Sequence, residues 1–114
     1  MNDEPQIKDD AMYILLREGN VETFNHERAN GAKFDLTGGD FRGVNLRGIH
    51  ADGLDLSNCY FRQADLRGLD LSNARLEGAS IHGARISGTY FPAKLSAEEI
   101  QLSLVHVTRL RYRK

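Results

Sequence analysis

The sequence repeats with a period of five residues over about half of its length. From residue 34 to residue 93, an apolar or small residue returns at every fifth position without interruption. An α-helix returns to the same face about every 3.6 residues and a β-strand every 2, so neither element accounts for this period. The repeat therefore indicates a chain that turns a corner every five residues. The central residues of the units are Leu36, Phe41, Leu46, Ala51, Leu56, Phe61, Leu66, Leu71, Leu76, Ile81, Ile86 and Phe91.

Gly or Asn follows nearly every central residue at a distance of two positions, with Gln63 and Ala93 as the exceptions. These residue types tolerate the positive φ that a type II turn requires at its second central position. Four such corners would close a square coil of about twenty residues, and successive coils would stack about 4.8 Å apart. We expect the central residues, apart from the small Ala51, to form the structural core, because each coil buries its apolar side only against a neighbouring coil.

Several units resemble the A-(D/N)-L-x-x units of pentapeptide-repeat proteins, namely Asn45-Leu46-Arg47-Gly48, Asp65-Leu66-Arg67-Gly68 and Asp70-Leu71-Ser72-Asn73-Ala74. The resemblance covers residues 34–93 and implies that family's fold, a right-handed quadrilateral parallel β-helix. We therefore expect an all-β solenoid of about three coils with short helical caps at its N- and C-terminus. Arg75, Ser80 and Arg85 stand where the family has Asp or Asn, which changes the expected surface and leaves the expected fold unaltered.

The two flanking segments read as caps, which a solenoid needs over its open ends. Residues 1–33 form the N-terminal helical cap, with one helix over residues 9–18 and a second over residues 21–29 behind Asn20 as N-cap. Residues 34–93 form the repeat region, and residues 94–114 form a C-terminal helix and a basic tail within the same single domain. The C-terminal helix begins at a capping box, Ser96 to Glu99.

The end of the chain allows two interpretations. Residues 107–113 alternate like an edge strand, and they also read as a basic tail. The apolar content of the C-terminal segment exceeds what one small cap needs, and exposed apolar patches mark interfaces. The segment is therefore also a candidate homodimer contact, carried by Ile100, Leu102, Leu104, Val105 and Val107.

Composition narrows the class of protein. The formal net charge is −1 and the chain holds a single cysteine, Cys59, which cannot form an internal disulfide. The start of the chain is acidic and no apolar run reaches membrane-spanning length. We expect a cytoplasmic protein with no membrane partner, for which nucleic acid is an unlikely partner as well.

Catalysis is not expected. The four histidines, His26, His50, His82 and His106, are far apart and share no ligand spacing, so no metal or cofactor is predicted. The best geometric candidate for a site is His50 one coil below Asp70, with Tyr90 above. That group would lie on a flat exposed wall, where a surface ion pair is the better interpretation because sites need concavity.

Charge placement is more informative than charge count. The twenty-residue register puts five arginines on one edge of the coil stack and aspartates on the edge across from it. The basic edge is a candidate docking surface for an acidic partner, and the alternative is a solvated wall with local pairs such as Asp65 with Arg85. The arginines are Arg42, Arg47, Arg62, Arg67 and Arg85.

These observations favour a small, bacterial-type, non-catalytic protein-interaction or scaffold module whose partner is unknown. The alternative is a regulator or inhibitor of a DNA-acting enzyme such as gyrase or topoisomerase, acting by DNA mimicry as the resemblance suggests. The near-neutral charge disfavours that alternative. So does the length, because three coils make a rod of only about 14 Å.

Overall fold

The computed structural model describes residues 4–113, so Met1, Asn2 and Asp3 at the start of the chain and Lys114 of the basic tail lie outside it. Its helices are α1 (Ala11–Arg17), α2 (Val21–Ala29) and α3 (Ala97–His106). In the described part of the chain, no helix has the length and apolar character that crossing a membrane requires. The cytoplasmic location stays a prediction.

Local capping explains where the first N-terminal helix begins and ends. The Asp10 carboxylate accepts hydrogen bonds from the backbone N–H groups of Met12 at 2.8 Å and Tyr13 at 3.2 Å, which starts α1. Gly19 adopts a φ of 80° after α1, a conformation that favours glycine. Asn20 stands at the N-cap of α2 without a side-chain capping bond. Both helices turn apolar side chains toward the repeats, and Leu16 and Phe24 are buried.

Only one of the two hydrogen bonds of a capping box forms at the start of α3. Ser96 accepts a hydrogen bond from the Glu99 N–H at 3.1 Å, as the motif requires. The Glu99 carboxylate does not return to Ser96, because it binds the backbone N–H and the guanidinium of Arg111. A carboxylate that could have capped the helix instead fixes the C-terminal tail against it.

The expectation of an all-β solenoid, and with it of a right-handed parallel β-helix, is wrong for this structure. Residues 4–113 hold no β-strand, only isolated parallel bridges, and the helices are the only extended regular elements. The physical reason lies in the period of five. Each unit leaves room for one bridged residue before the chain turns again, so that no ladder grows into a strand.

The twenty-residue register nevertheless organises the repeats. Parallel bridges join residues twenty positions apart, as in Asn45 with Asp65 and Asp65 with Arg85. Backbone hydrogen bonds follow the same register: the Phe61 N–H donates at 2.8 Å to the carbonyl of Ser80, the bridge partner of Tyr60. We call residues 34–93, with this pairing, the repeat stack. Most of its corners use positive φ, with Asn73 as an exception. Gln63, which breaks the Gly/Asn pattern, adopts a φ of 60° at its corner as well.

The central residues pack inside the stack. Phe41 and Phe61 lie parallel, with ring centroids 5.6 Å apart. The internal void beside them measures about 10 Å³, at the lower limit of the space one water needs. Two central residues of the last coil, Ile86 and Phe91, are only half-buried. The buried central residues are Leu36, Phe41, Leu46, Ala51, Leu56, Phe61, Leu66, Leu71, Leu76 and Ile81.

Side chains of the N-terminal helices bind the backbone of the first coil. The Tyr13 hydroxyl donates to the Asp40 carbonyl at 2.7 Å, and the Asn25 amide donates to the Gly48 carbonyl at 3.0 Å. Arg28 donates to the carbonyls of His50 and Asp52. At Asp40 and His50 the cap thus satisfies backbone acceptors whose counterparts in later coils bind a neighbouring coil.

The C-terminal segment caps the other end in the same way. Leu110 exchanges two backbone hydrogen bonds of 2.8 Å with the last coil, accepting from Gly78 and donating to Ala79. Two side-chain oxygens accept the next donors: Ser103 Oγ from the Ile81 N–H at 3.1 Å, and the Tyr112 hydroxyl from the Leu76 N–H at 2.8 Å. Residues 107–113 therefore act as part of a cap.

Candidate interaction surfaces

Two neighbouring columns of outward residues form the most basic face of the stack. The bridges place Asn45, Asp65 and Arg85 one above the other. The second column lies two residues further along each unit and runs from Arg47 through Arg67 to Ser87. We call these six residues the basic wall: Asn45, Arg47, Asp65, Arg67, Arg85 and Ser87.

Arg67 is paired within its own unit. Its guanidinium binds the Asp65 carboxylate through two hydrogen bonds, Nε to Oδ1 at 3.0 Å and Nη2 to Oδ2 at 2.7 Å. The hydrogen bonds from Arg67 lower the pKa of Asp65 to about 2. Arg85, in contrast, is exposed and forms no ion pair with any described residue. The pair of Asp65 with Arg85 that the register suggested is therefore replaced by a pair with Arg67.

Arg42 repeats this arrangement outside the wall. Its guanidinium binds the buried Asp40 carboxylate, with Nη2 to Oδ2 at 2.8 Å. The hydrogen bond from Arg42 holds the pKa of Asp40 below its usual range. Arg62 is half-buried, and its Nε is a buried donor that has no hydrogen-bond partner in the described part of the chain. The five arginines thus do not form one continuous surface.

Arg47 remains accessible beside the N-terminal cap. It is exposed, and it lines a groove of about 420 Å³ together with Asn45 and the link between α1 and α2. Among residues 4–113 it forms no ion pair. Arg47 and Arg85 are therefore the two arginines of the basic wall that form no ion pair with a carboxylate of residues 4–113.

The candidate group of His50, Asp70 and Tyr90 does not come together as a site. Asp70 and Tyr90 are bridged, as the register required. The Asp70 carboxylate accepts hydrogen bonds from the backbone N–H and hydroxyl of Ser72, and these bonds lower its pKa. No hydrogen bond or ion pair joins His50 to Asp70 in the part of the chain that the structure describes.

Cys59 lies in the core. Its thiol donates to the Leu36 carbonyl at 3.0 Å, and burial raises its pKa to about 12. The thiolate needed for nucleophilic chemistry is therefore disfavoured at this position. Over residues 4–113, no three His, Cys, Asp or Glu side chains lie close enough to hold a metal ion.

The candidate dimer residues divide between the inside and the outside of the chain. Ile100 and Leu104 pack against the core of the same chain. Leu102 is half-buried and lines a shallow groove on the outer side of α3. Val105 and Val107 are 48% and 41% exposed. Part of the apolar content of this segment thus belongs to the cap, and the dimer stays a prediction.

The basic tail is bound to the chain by its arginines. Arg109 donates to the Gly78 carbonyl at 3.0 Å, and its guanidinium lies 4.9 Å from the centre of the Tyr60 ring. Arg111 pairs with Glu99 at 2.7 Å, and the Arg113 guanidinium donates to the Ala93 carbonyl at 2.7 Å. These contacts fix the tail as part of the C-terminal cap.

Sequence reasoning missed Ser103 and Tyr112 as functional parts of this cap. Both are polar residues within an apolar pattern, and each accepts a backbone donor of the last coil. The alternating pattern of the tail does place Leu110 and Tyr112 on the same side. This is the one feature of the sequence that indicates that Tyr112 faces the repeats with Leu110. Nothing in the sequence says which coil edge that side meets.

Comparison with protein families identifies the repeats. Residues 55–91 match the family described as pentapeptide repeats, in 8 copies. The resemblance noted from the sequence is confirmed over these residues. Neither a search of curated proteins nor a search of solved structures returned a match.

Proposed function

Because residues 55–91 make this chain a pentapeptide-repeat protein, we propose that it is a non-catalytic interaction module whose basic wall docks an acidic surface of a partner protein. The observation that carries the proposal is the difference between neighbouring arginines. Asp65 neutralises Arg67, whereas Arg47 and Arg85 are exposed and form no ion pair within residues 4–113. A partner can supply the missing carboxylates.

The register of the stack supports this role. Bridges and backbone hydrogen bonds hold the columns in fixed order, so that the exposed charges stand on a rigid frame. Complementary charge on such a frame speeds encounter and selects partners, even where the free energy gained by each exposed pair is small. A scaffold or adaptor that presents ordered charge fits this geometry better than a reaction centre does.

The alternative of DNA mimicry has no observation in its favour. The exposed charged groups of the basic wall are the guanidinium groups of Arg47 and Arg85, and a mimic of the phosphate backbone needs rows of carboxylates. Gyrase or topoisomerase regulation by mimicry therefore stays the weaker hypothesis.

The proposal is tested by affinity capture from the source cells with the full chain as bait. We expect Arg47→Glu combined with Arg85→Glu to reduce recovery of the specific partner by about fivefold or more, because two interfacial attractions become repulsions. Arg75→Glu, which reverses an exposed charge outside the basic wall, is the matched control and should leave recovery unchanged. Equal recovery with all three baits would contradict docking on the wall.

A further inference from the structure

The coils of the stack present backbone donors to the coil above them at fixed positions. Leu66 and Gly68 donate their N–H groups to the carbonyls of Arg85 and Ser87, both at 2.9 Å. Leu71 donates in the same way to the Tyr90 carbonyl at 2.8 Å. Because the register repeats every twenty residues, the equivalent residues of the last coil point their own N–H groups toward the position of a further coil.

The equivalent donors of the last coil have no acceptor in the part of the chain that the structure describes. They are the N–H groups of Ile86, Gly88 and Phe91, and none of them makes a hydrogen bond within residues 4–113. Two carbonyls on the same edge, those of Ala84 and Thr89, likewise accept no hydrogen bond there. These groups are unpaired because the hydrogen bonds between the coil and the C-terminal cap extend only as far as Gly83, whose N–H donates to the Leu104 carbonyl at 3.1 Å. We call residues 84–91 the open edge.

The side chains of the open edge are less covered than their counterparts one coil below. Leu66 and Leu71 are each 2% exposed, whereas Ile86 and Phe91 are only half-buried. Tyr90 is 68% exposed. Apolar surface and unpaired backbone groups therefore occur together along two successive faces of the coil, as they do on the edge of a sheet that accepts another strand.

Charge identifies the chemistry of the missing neighbour. Arg85 lies at the open edge, and the carboxylate beneath it, Asp65, is bound on both oxygens by Arg67. The guanidinium of Arg85 is left for a group that stacks above it. In the middle coil, the same column holds Asp65, and the next residue, Leu66, points inward. A segment stacked on the open edge would match this pattern with an acidic residue over Arg85 and an apolar residue after it.

We propose that the open edge binds an extended segment of a partner protein by backbone pairing, with an acidic residue over Arg85 and the following apolar residue over Ile86. The proposal rests on the interaction role proposed above and adds the mode and the sequence chemistry of recognition. Addition of a strand to an exposed edge supplies affinity through main-chain hydrogen bonds, while side-chain positions supply specificity.

A second copy of the chain that stacks head to tail is a poorer occupant. In that arrangement it would present the opposite edge of its own first coil. There the Asp40 carbonyl accepts a hydrogen bond from the Tyr13 hydroxyl, and the His50 carbonyl accepts one from the Arg28 guanidinium. The N-terminal cap thus occupies the groups that head-to-tail stacking would need, and a separate extended segment meets no such obstacle.

The test uses the full chain and a synthetic peptide, acetylated and amidated, that copies residues 63–73. This probe carries the acidic–apolar pair of the middle coil and one corner. We expect it to slow hydrogen exchange of the Ile86, Gly88 and Phe91 amides, and we expect Arg85→Glu to weaken binding about fivefold or more, since a charge-assisted contact is lost. A probe with its Asp65 position changed to Lys should bind as weakly.

Arg47→Glu separates this proposal from the docking on the basic wall. Arg47 belongs to the wall but lies two coils from the open edge, so its reversal should leave peptide binding unchanged while it weakens capture of the partner. No protection of the three amides by the peptide would overturn the open-edge proposal and leave wall docking standing. Protection of those amides without peptide, rising with protein concentration, would overturn it in favour of a second copy.

Discussion

At the scale of single residues, the repeat unit uses Asp or Asn for a local bond. The side chain one position before the central residue accepts a hydrogen bond from the backbone N–H two residues on, as Asn45 does from Arg47 at 3.0 Å and Asp55 from Ser57 at 3.1 Å. This is the turn-forming habit of short polar side chains. The pattern was visible in the sequence. The choice of Arg67 over Arg85 as the partner of Asp65 was not, because both lie within reach in the register.

The lowered pKa of Asp65 predicts a loss of stability in acid. A carboxyl whose pKa is lower in the folded chain stabilises the fold above its unfolded pKa, near 3.9, and loses that effect as the pH falls through its folded pKa of about 2. Asp65→Asn should therefore lower the midpoint of urea unfolding at pH 7 and have a much smaller effect near pH 2. Asp52→Asn, at an exposed carboxylate outside this pair, is the control. An equal effect of Asp65→Asn at both pH values would refute the assignment.

Gly68 tests the corner conformation. Its φ is 73°, and a Cβ added there would meet no atom within 4 Å, so only backbone strain opposes a side chain. We expect Gly68→Ala to reduce the free energy of unfolding by about 1–2 kcal/mol. Gly68→Asn should cost less, because Asn tolerates this region. Urea unfolding of both variants measures the difference, and a neutral Gly68→Ala would show that the corner does not need a positive φ.

At the scale of elements, the helices and tail complete the hydrogen bonding of the stack. The sequence indicated all three helices, because Gly19, Asn20 and Ser96 carry recognisable start and stop signals. It did not indicate their bonds to the coils, since those depend on where the helices lie in space. The period of five correctly predicted which residues of successive coils pair. The all-β class inferred from the family fold was wrong, because isolated bridges do not form strands.

Ser103 tests the cap. It is fully buried, and its hydroxyl accepts the Ile81 N–H at 3.1 Å. Ser103→Ala leaves that donor buried without a partner, which should reduce the free energy of unfolding by about 1–3 kcal/mol. Gln101→Ala, on the exposed side of the same helix, controls for helix propensity and should change it by less than about 0.5 kcal/mol. Similar small effects in both variants would mean that the hydroxyl does not serve as a cap.

At the scale of the whole molecule, the chain is nearly isometric and nearly neutral. Its extents are 36, 29 and 25 Å, and its net charge is −1. A DNA mimic needs an elongated anionic surface, so we expect the chain to leave gyrase supercoiling unchanged at concentrations that saturate its own partner. Dose-dependent inhibition that survives Arg47→Glu and Arg85→Glu would favour mimicry over docking on the basic wall.

The central structural claim is that the cap closes one half of the last coil and leaves the open edge unpaired. Hydrogen exchange at single amides, followed by NMR on the dilute full chain, measures this directly. The amides of Leu76, Gly78, Ile81 and Gly83 should be strongly protected, while those of Ile86, Gly88 and Phe91 exchange much faster. Equal protection of both groups in dilute solution would contradict the account, because it would require an acceptor that the described chain does not provide.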